Sequence, residues 1–124
     1  MNTTIRYMFN RNYSLKSIDV SNWDLQSCTK ADRFVQLTES LKSLDLSTWK
    51  NTGNITTYAN FLYNFGSSVI EYLDISGLDT TSVTSGGLDA FVSNCTYLKT
   101  IIFGEAFGKC KIAITLDLST IGSH

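Results

Sequence analysis

Four aspartates along this chain are each followed two positions later by a serine: Asp19 and Ser21, Asp45 and Ser47, Asp74 and Ser76, and Asp117 and Ser119. A carboxylate repeated in this way can accept hydrogen bonds, hold a cation, or serve as acid or base in catalysis. Catalysis lacks a partner set. The only histidine is His124, the last residue, where a chain is a poor host for a catalytic group. The serines and threonines therefore have no base to activate them, and no glycine-rich phosphate loop is present. A calcium site needs roughly six to eight oxygens, and hydrogen bonds from the neighbouring serines or from Lys16, Lys42 and Lys99 relieve the carboxylates more simply. None of the 3 cysteines lies in a Cys-x-x-Cys pair, so neither a zinc knuckle nor a redox couple is supported. Cys28 and Cys95 read as small buried hydrophobes. No cofactor and no enzyme activity are expected.

The aspartates are positioned by a recurring stretch. Residues 41–47 read Leu-Lys-Ser-Leu-Asp-Leu-Ser, and 15–21 and 70–76 repeat the pattern. A worn fourth copy, 98–104, carries Ile102 where the others carry Asp. The steps from 15 to 41, 41 to 70 and 70 to 98 are 26, 29 and 28 residues. A period in this range marks a stacked repeat, and L-x-x-L-x-L marks a short strand inside it. Alternation along that strand predicts three outward columns: Ser17, Ser43, Tyr72 and Thr100; Asp19, Asp45, Asp74 and Ile102; and Ser21, Ser47, Ser76 and Gly104. Tyr72 and Ile102 interrupt the polar columns and make an apolar spot. Inward columns are Ile18, Leu44, Leu73 and Ile101, then Val20, Leu46, Ile75 and Phe103. Trp23, Trp49 and Leu78 form a third at the corner, where each indole N–H needs a carbonyl. Phe9, Phe34, Phe61 and Phe91 line the opposite side. There the spacing of Ala31, Phe34, Val35 and Leu37 is near-helical, so 30–40 and 57–67 are expected to be helix-like. One extra residue around Gly53 accounts for part of the 29-residue step.

With 124 residues, the chain has room for one domain, with repeats near 15–40, 41–69, 70–97 and 98–124 and a partial repeat over 1–14. Leu116 and Leu118 resemble one more strand in an abbreviated ending. A formal charge of -1 supplies no field for nucleic acid, and no apolar run is long enough to span a membrane.

The blocks Met8-Phe9, Asn94-Cys95-Thr96-Tyr97-Leu98, Leu73-Asp74-Ile75-Ser76-Gly77-Leu78-Asp79-Thr80-Thr81-Ser82-Val83-Thr84 and Leu44-Asp45-Leu46-Ser47-Thr48-Trp49 recur in one order. In this the chain resembles the BspA-like leucine-rich repeats of bacterial and protist surface proteins, and the related repeat of Mycoplasma surface lipoproteins. The departures are the tryptophans, the missing methionines on the convex side, and Ile102. The resemblance implies an α/β fold, a right-handed leucine-rich-repeat solenoid of about four coils. A parallel sheet would form one face and short helical or irregular segments the other. It also implies a secreted or cell-surface location and a role in adhesion. The expectation is a non-catalytic module that binds protein or glycan on a host or neighbouring cell. Its sheet-face candidates are Ser17, Asp19, Ser21, Ser43, Asp45, Ser47, Tyr72, Asp74, Ser76 and Ile102. The alternative is a rigid spacer in a larger surface or tail-like assembly. No nucleic acid and no membrane insertion are expected, and uncapped apolar columns at both ends predict either end-to-end self-association or a parent chain that continues the solenoid on the N-terminal side.

Overall fold

The computed structural model describes residues 4–64 and 68–108. Three of the recurring stretches contribute strands: β1 (Ser43–Asp45), β3 (Tyr72–Ile75) and β5 (Thr100–Phe103). They form a parallel sheet in the order β1-β3-β5, with Asp45 opposite Asp74 and Asp74 opposite Ile102. Leu44, Leu73, Leu46 and Ile75 all bury their side chains on one side of it. Two shorter strands, β2 (Leu62–Tyr63) and β4 (Val92–Ser93), pair in parallel as a second sheet.

These two small sheets are set in a mostly irregular chain, and this overturns the expected fold. The sheets do not close into a solenoid, so a right-handed leucine-rich-repeat solenoid of about four coils is not the architecture observed. The only helix among the described residues is a 3-10 turn, Thr52–Asn54. In the expected helix over 30–40, the amides of Arg33, Val35 and Leu37 donate instead to the carbonyls of Ala59, Phe61 and Tyr63. Arg33 and Leu37 have φ of 58° and 60°, a left-handed conformation that an α-helix of L-residues does not contain. Of the stretch expected to be helix-like over 57–67, residues 57–64 are described and depart in the same way, while 65–67 lie outside the described residues. Asn60 has φ 55°, and the amides of Tyr58, Asn60 and Leu62 donate to Gly87, Asp89 and Phe91.

The first copy, 15–21, forms no strand. A single backbone bond, from the Lys42 amide to the Lys16 carbonyl at 3.3 Å, joins it to the second. Side chains directly after the second copy do the rest. Thr48 Oγ1 accepts the Asn22 amide at 2.8 Å, and Trp49 Nε1 donates to the Val20 carbonyl at 3.0 Å. At the other edge Phe103 is 44% exposed, although alternation placed it inward. Its strand is the last one described and, among the described residues, has a neighbour only in β3. Leu116, Leu118, Cys110 and His124 lie outside the described residues.

Aromatic rings carry the interior. Phe34, Phe61 and Phe91 stack in sequence with centroids 5.4 and 5.2 Å apart, and Phe9 meets Phe34 edge-on at 5.3 Å. Trp23 and Trp49 lie parallel at 6.1 Å. Cys28 and Cys95 are free and buried; burial raises both thiol pKa values, that of Cys95 to about 11.

Backbones approach closely where the chain leaves β3. A Cβ on Gly77 would collide with the Leu46 carbonyl oxygen and come within 3.1 Å of Trp49 Cβ. We expect Gly77→Ala to destabilise by about 1–3 kcal/mol, the range for overpacking a close contact. Urea unfolding checks it, and a midpoint equal to wild type would mean that this approach does not exist in solution.

Candidate functional site

The Asp-x-Ser repeats first do local work. Asp19 Oδ1 accepts the Ser21 amide at 3.0 Å and its hydroxyl at 2.6 Å. Asp74 Oδ1 does the same for Ser76, at 2.9 and 2.6 Å, and Asp45 Oδ1 takes the Ser47 amide at 2.9 Å. Such side-chain-to-backbone bonds fix a turn directly after the strand. Asp79 does likewise with the amide and hydroxyl of Thr81, at 2.8 and 2.5 Å.

At Asp19 and Asp45 these bonds favour the ionised carboxylate. The Ser21 hydroxyl and amide lower the pKa of Asp19, and those of Ser47 lower that of Asp45. For Asp24 the Asn51 side chain is the main cause, followed by the Gln26 amide. A carboxyl whose folded pKa lies below its unfolded value of about 3.9 adds stability above that value and loses it as pH falls through the folded one. The urea midpoint should therefore hold steady from neutral pH to about 5 and decline below about 4. A midpoint that stays level or rises on going from pH 5 to pH 3 would contradict this.

On the sheet face Ser43, Asp45, Thr100 and Ile102 are exposed, and Tyr72 is half-buried. Asp74 departs from the outward expectation and is only 7% exposed. Its strand is the central one, and the Tyr72 hydroxyl donates to its Oδ2 at 3.3 Å. Partial burial and the carboxylates of Asp74 and Asp45 raise the Tyr72 pKa, which keeps that hydroxyl a donor. Ser17, Asp19 and Ser21 are exposed but belong to no strand, so the sheet does not gather them with the others.

Ser47 and Ser76, the last outward positions, border a cleft of about 550 Å³ at the carboxyl ends of β1 and β3. Gln26, Asn51, Asn54 and Asp79 line its rim with polar side chains, and Trp49 and Gly77 also line it. Asn51 Nδ2 donates to Asp24 Oδ1 at 3.0 Å and Asn54 Nδ2 to the Gln26 carbonyl at 2.9 Å, so both amides are held in place. The L-x-x-L-x-L pattern did not point to these four residues. The extra residue around Gly53 was the available signal, because an insertion at a repeat corner changes the surface there.

Among the described residues, no cluster of three or more His, Cys, Asp or Glu side chains is placed to hold a metal ion. No helix among them is long and apolar enough to cross a membrane. No protein-family model, no curated protein and no solved structure matches this chain.

Proposed function

We propose that this chain is a non-catalytic recognition module, displayed outside the cell, that binds protein or glycan on a neighbouring or host surface. The observation that carries the reading is the outward side of the three-stranded sheet. There Ser43, Asp45, Thr100 and Ile102 stand exposed on strands whose register is fixed by backbone pairing. Hydroxyls, a carboxylate and an apolar side chain held on a rigid element form a surface that can specify a partner without reorganising to do so. The resemblance to BspA-like surface repeats supports the same role.

Surface plasmon resonance against purified cell-surface glycoproteins, intact and enzymatically deglycosylated, tests it. Binding that the charge reversal Asp45→Lys abolishes while the variant still unfolds cooperatively supports the reading, a lower melting temperature being expected from the lost bond to Ser47. Absence of binding across the panel counts against it and favours the spacer. Retention of binding only by the intact or by both glycoforms separates glycan from protein recognition.

A further inference from the structure

We infer that the cleft at the carboxyl ends of β1 and β3 is a saccharide subsite that accepts a neutral sugar ring through Asp79, Asn51, Asn54 and Gln26. This inference rests on the recognition role proposed above and assigns it a ligand class and a place. The cleft measures about 550 Å³, within the span of roughly 300–1,000 Å³ common to small-molecule sites.

Its hydrogen-bonding capacity decides the class. Asp79 Oδ1 is occupied by Thr81, which orients the carboxylate. Among the described residues no group bonds Oδ2. Gly53 keeps this oxygen approachable, since even a Cβ there would lie 3.1 Å from it. The Asn51 and Asn54 amides each have a nitrogen tied to the protein, which leaves their oxygens as acceptors with preset orientation. The Gln26 side chain is exposed at the rim.

The rim is thus rich in acceptors and carries one negative charge. Sugar hydroxyls donate to such a set, and each bond to the carboxylate is charge-assisted. A phosphate, sulfate or sialic acid carboxylate would meet the Asp79 charge with nothing on the rim to neutralise it. A bare divalent cation would find one carboxylate where it needs several.

The test is isothermal titration of the full chain with maltotriose, cellotriose, diacetylchitobiose and N-acetyllactosamine, with sialyllactose as the anionic control. At least one neutral sugar should bind, and more tightly than sialyllactose. Asp79→Asn should weaken it by about ten-fold, the loss expected for a hydrogen bond to a charged group. Gln26→Ala should also weaken it, and its melting temperature should stay at the wild-type value because only a rim side chain is removed. Tyr97→Ala, an exposed position outside the cleft, should bind as wild type does.

Failure of all four neutral sugars overturns the inference, and so does binding that survives both Asp79→Asn and Gln26→Ala. Tighter binding of sialyllactose overturns it as well. If the glycoprotein panel still binds in any of these cases, the recognition role stands and only the saccharide subsite is lost.

Discussion

Replacing Trp49 by alanine should destabilise the protein by about 3–5 kcal/mol, the cost of deleting a large aromatic side chain from a packed interior. Trp49 is 5% exposed and makes several contacts at once. Its ring lies parallel to Trp23 at 6.1 Å and edge-on to Phe34 at 5.3 Å, while Nε1 donates to the Val20 carbonyl at 3.0 Å. That bond replaces the ladder that the first and second copies do not form. Trp49→Phe separates the parts. It keeps much of the apolar area and strips the Val20 carbonyl of its donor, for which about 1–3 kcal/mol is expected. Urea unfolding of both variants checks the order. An alanine midpoint near wild type would place Trp49 outside the interior.

The second large effect is expected at Phe61, again about 3–5 kcal/mol on truncation to alanine. Phe61 is fully buried and sits between Phe34 and Phe91, with Tyr58 at 5.9 Å and Trp49 at 6.4 Å. Every side of the ring has an aromatic neighbour, so little can collapse into the space it leaves. Phe9, half-buried at the end of the same row, should cost distinctly less. Equal losses at Phe9 and Phe61 would mean that the row is not continuous. Because Phe61 and Trp49 touch, their double mutant should depart from additivity, by about 0.5–3 kcal/mol as contacting pairs do.

The recurring stretches were legible because Leu44 and Leu73 alternate with polar neighbours, and a strand with one buried side needs no other signal. The opposite side was not. Ala31, Phe34, Val35 and Leu37 look helical, yet the buried residues there come in pairs, 31–32, 34–35 and 37–38, with half-buried ones between. That is a three-residue period, and two of its members are polar. Asp32 is buried with its carboxylate paired to Arg6 Nε at 2.9 Å and Arg33 at 3.0 Å. Thr38 is buried with its hydroxyl on the Val35 carbonyl at 2.7 Å. A pattern search over apolar residues passes over both and recovers a false helix.

At the site the same distinction holds. Asp45 stands outward as alternation requires, whereas Asp74 is covered because its strand is central and Tyr72 leans over it. Gln26, Asn51, Asn54 and Asp79 come together only because irregular segments meet beyond the strand ends, and no periodicity encodes that.

Copies of one stretch lie side by side in parallel, and this register creates the polar face. Nuclear Overhauser spectroscopy on the labelled protein reads this register residue by residue. Cross-peaks are expected between the backbones of Asp45 and Asp74 and of Tyr72 and Thr100, with ring contacts along Phe34, Phe61 and Phe91. Sequential amide contacts and helical carbon shifts across 30–40, without those long-range peaks, would contradict it.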